Sequence, residues 1–315
     1  MTTLVGLVAN PLAGRDIRRI TAGASLVPNH EKSAIVSRLL AGLAAAGVDT
    51  VRYLPDRAGV VRAALDGTRT SLTTEPLAMH ATGRVEDSTE AARLLARDGA
   101  AVIVTLGGDG TNRAVAAGCG EVPLIAVSTG TNNVFPTMVD GTVAGLAAGL
   151  VATGRVGGDA VRRTKRVEVA GDFALIDAAS CRDRFVGARA IWDPQKVQAL
   201  VLARAEPWSV GLSAIGGALC PVTTDDPCGL WVELGNGGRV VSVPVAPGLV
   251  LPVPVRRWRR LDLEEPVPLG EGPGTIALDG ERELGVDGAT AAKVTRTGPW
   301  LVDIRETLRR GSADD

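Results

Sequence analysis

Apolar positions fall into short continuous runs in the first half of the chain and into alternating stretches in the second. Leu4 to Ala9 is one such run, and it ends at Asn10-Pro11. A proline disfavours helix in the residue before it, so the run predicts a buried strand that exits into a loop. Ser33 to Ala46 carries apolar residues at helical spacing and closes on Gly47, and Val51 to Leu54 follows as a second strand. Asp87-Ser88-Thr89-Glu90 has the form of a capping box, which predicts a helix through Ala96 and Arg97 to a stop at Gly99. Ala101 to Leu106 and Leu124 to Val127 read as fully buried strands, with a short helix, Asn112 to Ala117, between them. Gly141 to Ala152 completes the series as an Ala/Gly/Leu helix. This βαβ rhythm predicts an N-terminal α/β domain built on a Rossmann-like parallel sheet.

From Val161 the rhythm changes. Apolar runs shorten or alternate, Gly and Pro turns multiply, and one helix is expected, Gln195 to Ala205, opened by Asp193-Pro194. Val240 to Val255 is rich in Val and Pro behind a Gly235-Asn236-Gly237-Gly238 turn, which predicts antiparallel strands with prolines at edges or ends. A length of 315 residues suits two domains. The expected division is an α/β nucleotide-binding domain over 1–140, a β-rich substrate domain over 141–290, and a C-terminal segment, 291–315, able to return to the first domain. The boundary falls within 136–160, and 311–315 reads as a frayed tail.

Composition narrows the setting. Hydrophobic residues make up 45% of the chain and charged residues 22%, the balance of a protein with a packed core. A formal charge of -1 offers no cationic surface for nucleic acid or an anionic membrane, so nucleotide-type small molecules are the expected partners and nucleic acid is not. Arg256-Arg257-Trp258-Arg259-Arg260 reads as a solvated strand edge in that context. Cys119, Cys181, Cys220 and Cys228 form no CxxC pair and have no neighbouring histidine, which predicts buried free thiols. No apolar run approaches the roughly 18 residues of a membrane span, and the N-terminus lacks a basic signal-peptide start. A cytoplasmic protein without integral membrane association is expected, as a homo-oligomer.

Two successive strands deliver polar, glycine-bearing loops from their carboxyl ends: Gly107-Gly108-Asp109-Gly110-Thr111, and Ser128-Thr129-Gly130-Thr131-Asn132-Asn133. In an open α/β sheet that edge is where ligands bind. Glycines let backbone N–H groups surround phosphate oxygens, and a following helix N-terminus adds positive potential. A carboxylate beside a polyphosphate is repelled unless it holds Mg2+ or accepts the proton of an attacking hydroxyl, and those roles are open to Asp109. A sharp turn with Asp109 as an Asx or cap residue is the competing reading. Gly211 to Gly216 misses the spacing of a nucleophile elbow, and neither His30 nor His80 completes a triad, which argues against hydrolase chemistry.

Together with Asn10-Pro11-Leu12-Ala13-Gly14, these loops resemble the ATP-NAD kinase and diacylglycerol kinase superfamily. NPLAGRD, GGDGTNR and GTNNVFP are most similar to its acetoin-catabolism protein X (AcoX) branch, and Asp279-Gly280-Glu281 resembles the DGE segment of the lipid kinases. The resemblance implies a two-domain kinase fold, α/β then β-rich, with the active site in the cleft between. It implies that Asn10, Gly14, Gly107, Gly108, Gly110 and Thr111 line the phosphates of ATP or a polyphosphate donor. Asp109 would then orient Mg2+ or accept the proton. Thr129, Gly130, Thr131, Asn132 and Asn133 would share the cleft, where paired amides can bond ribose hydroxyls or a base edge.

The chain also departs from the pattern. NAD kinases carry an Asn-Glu or Asn-Asp pair in the second domain, and Ala174-Leu175-Ile176-Asp177-Ala178 has Ile176 in place of the Asn, leaving Asp177. In the lipid kinases a catalytic Asp is followed by phosphate-binding arginines, and Arg182, Arg184 and Arg189 follow Asp177 at comparable distances. An ordinary solvated strand-loop face is the alternative. The expected activity is phosphoryl transfer to a hydroxyl of a nucleotide-type acceptor, with NAD the first candidate. The alternatives are a non-catalytic nucleotide sensor or accessory protein of acetoin-type catabolism, and a lipid or small-alcohol kinase. An apolar or a polar lining of the cleft by the second domain separates them.

Overall fold

The first half of the chain alternates strand and helix, as its apolar spacing requires: β1 (Leu4–Ala9), α1 (Asn29–Ala45), β2 (Thr50–Tyr53), α2 (Val60–Asp66), β3 (Thr73–Pro76), α3 (Glu86–Arg97), β4 (Val102–Gly107), α4 (Asp109–Ala116), β5 (Leu124–Ser128) and α5 (Gly141–Ala152). The computed structural model describes residues 2–13, 27–130, 132–184, 190–191 and 193–312. β-structure then dominates, with β6 (Val161–Arg163), β7 (Arg166–Val169), β8 (Asp172–Ala174), β9 (Asp177–Cys181), β10 (Val197–Leu202), α6 (Leu212–Leu219), β11 (Cys228–Ala246) and β12 (Leu249–Asp262). β13 (Val267–Gly270), β14 (Gly274–Leu278), β15 (Glu281–Val286), β16 (Thr290–Thr295), β17 (Trp300–Val302) and α7 (Ile304–Gly311) complete the chain.

Seven strands form the first sheet in the order β3-β2-β1-β4-β5-β17-β6, parallel except for β6. Its strands are apolar on both faces because helices cover both. Leu7, Val104 and Ile125 pack with Leu39, Leu43 and Ala147 of α1 and α5, while Val8 and Ile103 meet Leu95 and Val115 of α3 and α4. The second domain stacks two antiparallel sheets, β12-β11-β10-β9-β14-β15 and β13-β16-β7-β8. Val167, Val201, Trp231, Ile276 and Val294 fill the space between them, and α6 covers the outer face of the larger sheet.

Several expectations are corrected. α1 begins four residues before Ser33. Asp87 lies inside the first turn of α3 and does not cap it; its carboxylate turns back to accept the N–H groups of Thr82, Gly83 and Arg84 at 2.9, 2.6 and 3.2 Å. The helix expected over 195–205 is a single 3-10 turn, Pro194–Lys196, followed by β10. Val-Gln-Ala-Leu-Val-Leu is paired on both sides, by β9 and β11, so sheet hydrogen bonds and burial override the helix start at Asp193-Pro194. Gly235 to Gly238 is a register irregularity inside β11, and the chain reverses at Pro247-Gly248 instead. Pro252 and Pro254 sit on β12, at the edge of its sheet, where a missing N–H breaks no ladder. Arg256 to Arg260 lie on the same strand and are exposed.

α5 carries Gly141, Gly145 and Gly149 at four-residue spacing, a stripe that lets α1 approach to backbone contact. A Cβ on Gly145 would lie 2.2 Å from the Leu39 carbonyl oxygen, and one on Gly141 would lie 2.3 Å from that of Ile35. Gly145→Val should therefore force the two helices apart and lower the unfolding free energy by about 1–3 kcal/mol in a urea titration. An unchanged midpoint would show that the crossing is not tightly packed.

Candidate functional site

β1, β4 and β5 end side by side, so their following loops share one edge of the sheet. Asn10 leaves β1 with its N–H still bonded to the Leu106 carbonyl at 2.9 Å. Its side chain works in both directions, donating to Thr111 Oγ1 at 2.9 Å and accepting the Leu12 N–H at 2.8 Å. Beneath this turn the fully buried Lys32 directs its ammonium at the carbonyl oxygens of Asn10, Pro11 and Ala13, at 3.1, 3.0 and 3.2 Å. Three donors diverging from one nitrogen suit three converging carbonyls, a geometry that a planar guanidinium does not match.

Asp109 is the first residue of α4. Its carboxylate accepts the N–H of Phe135 at 2.8 Å and that of Val134 at 3.1 Å. It thereby fastens the loop after β4 to the loop after β5. The glycines around it are required by close approach: a Cβ on Gly107 would lie 2.5 Å from Thr111, and one on Gly108 would lie 2.8 Å from Asn133 Oδ1. Gly110 differs, since a Cβ there would meet open space. Asn133 is held by Ser128 Oγ, to which its amide donates at 2.8 Å.

Across the cleft, Asp279 and Gly280 form the two-residue turn of the β14–β15 hairpin. Their φ angles of +52° and +75° are those a type I′ turn needs, which is why Asp-Gly stands there. The Asp279 carboxylate is buried and accepts the Ile176 N–H at 2.8 Å and the Leu175 N–H at 3.2 Å. Burial pushes its pKa up to about 7, opposed by Arg113 and reinforced by the neighbouring charge of Asp109. Arg113, on α4, reaches over to pair with Glu283, to Asp279 at 3.5 Å and to Asp172 at 3.9 Å, so one guanidinium joins the two domains.

The resulting cavity, of about 180 Å³, is lined by Asn10, Gly108, Asp109, Gly110, Thr111, Gly130, Asn132 and Asn133 from the first domain, with Asp279 and Glu281 from the second. Gly107 and Thr129 lie just behind it, where the Thr129 N–H meets the Gly107 carbonyl at 3.4 Å. Gly14, Thr131 and Arg189 lie outside the described residues. Asp177 is buried on β9, its carbonyl accepting the Asp279 N–H at 2.9 Å, and it does not line this cavity. Arg182 and Arg184 are exposed and line none of the cavities near it. Ile176 packs with Phe135, Leu175 and Ala126 in a buried apolar cluster between the domains, a place closed to a polar ligand.

Two larger cavities adjoin the first. One, of about 510 Å³, opens beyond the ends of β1 and β2 between Pro11, Asp56, Arg57 and the Thr82–Arg84 loop, and shares Asn10, Leu12 and Val85 with the smaller cavity. The other, of about 520 Å³, lies over Arg113 and takes Asp172, Phe173, Glu281 and Glu283 from the second domain. Lys32 lies outside the sequence motifs, and Arg113 and Asp279 lie within GGDGTNR and Asp279-Gly280-Glu281 but had been given no role in the site. A rare lysine in an arginine-rich chain and the Asp-Gly hairpin signal were the available signs of two of them.

A parallel α/β domain, a β-rich domain and a glycine-lined cleft between them define an NAD kinase/diacylglycerol kinase-like fold. Residues 5–156 match the ATP-NAD kinase N-terminal domain, and residues 160–298 match the acetoin catabolism protein X C-terminal domain. The chain is 42% identical over 301 residues to acetoin catabolism protein X of Cupriavidus necator, covering 89% of this chain and 84% of that protein. It belongs to the acetoin catabolism protein X family. Among solved structures it is similar to a diacylglycerol kinase of Bacillus anthracis str. Sterne, with a TM-score of 0.52, 15% identity and 95% and 96% of the two chains covered. A putative diacylglycerol kinase of the same organism gives a TM-score of 0.53 at 14% identity, with 95% and 97% covered. These likenesses show the fold.

The raised pKa of Asp279 has a measurable consequence. The folded chain keeps this proton above the pH at which the unfolded chain releases it, so the contribution is fully present below about pH 4 and is lost as pH rises through about 7. Asp279→Asn should cancel that loss: between about pH 5 and pH 8 its Tm should rise relative to wild type, read by differential scanning fluorimetry. A difference that stays flat across that range would contradict the buried, proton-holding carboxyl.

Proposed function

We propose that this protein is a cytoplasmic, Mg2+-dependent phosphotransferase that binds ATP, or another polyphosphate donor, across the edge of the parallel sheet. The observation that carries the reading is the fastening of two glycine-bearing loops by Asp109, which leaves open space at Gly110 between them. The small cavity suits phosphates, and the adjoining 510 Å³ cavity, which shares the lining residues Asn10, Leu12 and Val85, suits a nucleoside. Asp109, Asp279 and Glu281 line the phosphate side without a lysine or arginine among the described lining residues, so a polyphosphate needs a cation there. Mg2+ is commonly held by one or two carboxylates plus substrate phosphates, which fits this donor set. When bound, it would neutralise the phosphate oxygens. Asp109 is assigned to holding the cradle and facing the cation. Asp279, poised at about 7, is assigned to receiving the proton of the acceptor hydroxyl.

On the acceptor side the second domain presents Asp172, Glu281 and Glu283 with Phe173, a polar surface that favours a hydroxylated acceptor over a lipid chain. NAD is the first acceptor to assay. The apolar setting of Ile176 favours a second reading, a nucleotide-binding accessory protein of acetoin-type catabolism that does not turn over. Coupled kinase assays over a panel of acceptors, together with calorimetry using ATP and Mg2+, separate the two. The first reading expects turnover, reduced about a hundredfold or more by Asp109→Asn. The second expects ATP binding and no product with any acceptor. No ATP binding at all rejects both.

A further inference from the structure

On the far side of the loop that Asp109 holds lies a separate cavity of about 480 Å³, within the size range of small-molecule sites. Its floor is apolar, from Phe135, Val143, Leu301 and Leu308, and Met138 stands exposed at its rim. Three arginines face it. Arg204 is a half-buried cation whose Nε and Nη2 are fixed by Glu206 at 3.1 and 2.8 Å. Arg162 pairs with Asp225 at 3.0 Å, and Arg305 makes no ion pair among the described residues. The other lining carboxylate, Asp303, is occupied in accepting the Glu306 N–H at the start of α7. The lining holds three arginines against Asp225 and Asp303; with Glu206 counted the charges balance, and Arg305 is the guanidinium that no ion pair engages among the described residues.

We propose that this rear cavity binds a short-chain aliphatic carboxylate, with the chain against Phe135 and Leu308 and the carboxylate toward Arg204 and Arg305. The walls come from both domains, since Arg204 and Asp225 belong to the second and Phe135 and Val143 to the first. Phe135 also packs with Ile176, and the N–H groups of these two residues hold Asp109 and Asp279, each at 2.8 Å. A ligand that presses on Phe135 thus acts on both carboxylates of the phosphate cavity. Binding itself is independent of the proposed kinase activity; the coupling rests on nucleotide binding at that cavity. Linkage makes the coupling reciprocal, so nucleotide and carboxylate must change each other's affinity by the same factor.

Hexanoate, hexanol and hexylammonium serve as probes on the full chain, followed by calorimetry and ligand-detected NMR. Saturable hexanoate binding is expected, at least tenfold tighter than that of hexanol, with no hexylammonium binding. Val143→Trp, which fills the cavity, should abolish it. Arg305→Glu, an exposed change that leaves the core untouched, should weaken it at least tenfold while the Tm stays as in wild type. Absence of saturable hexanoate binding to wild type, equal binding of hexanol, or retained binding in Arg305→Glu would overturn the proposal. Hexanoate binding that leaves ATP affinity unchanged would overturn the coupling alone, and failure of ATP to bind would sink the kinase reading while leaving the rear site standing.

Discussion

The site depends on one carboxylate that is used as a fastener. Asp109 opens α4, yet its oxygens point away from that helix to the N–H groups of Val134 and Phe135. This contact adds a side-chain tie between the loops after β4 and β5 to the backbone one from the Thr129 N–H to the Gly107 carbonyl. With it they form one surface, and the glycines beside it leave room only where nothing else fills the space. Because the same two N–H groups precede the apolar cluster of Phe135 and Ile176, the fastener also sets how the second domain sits against the first.

The second domain answers with a matching device. Ile176 N–H and the Asp-Gly hairpin fix Asp279 at the mouth of the cleft, and Arg113 spans from α4 to the carboxylates around it. Two apolar neighbours, Phe135 and Ile176, therefore present backbone N–H groups to two acids that would otherwise repel one another. Any residue would offer that N–H; what isoleucine itself adds at 176 is the apolar packing against Phe135. The chain has spent that position on joining its domains.

The parallel sheet and its two loops were legible because burial on both faces leaves continuous apolar runs, and glycine clusters mark where each run ends. β10 was not, since Asp193-Pro194 signals a helix start and only pairing with β9 and β11 makes Val197 to Leu202 a strand. The long β11–β12 hairpin misled for a related reason: Gly235 to Gly238 has the composition of a turn but is absorbed as a bulge within a strand. In the site, the loop residues could be read directly, whereas the roles of Lys32 and of Arg113, the last residue of GGDGTNR, could not. Their work is to join segments distant in sequence, and neither lysine rarity nor motif membership says which segments those are.

The proline-bearing edge of the larger β-sheet bears on assembly. β12 ends that sheet with Pro252 and Pro254, followed by a row of exposed arginines. A neighbouring chain that tried to add a strand there would find donors missing at two places and cationic repulsion beyond them. That edge is closed to growth by its own composition, so a contact between copies made there would have to run through side chains and could be dissolved without unravelling a shared sheet.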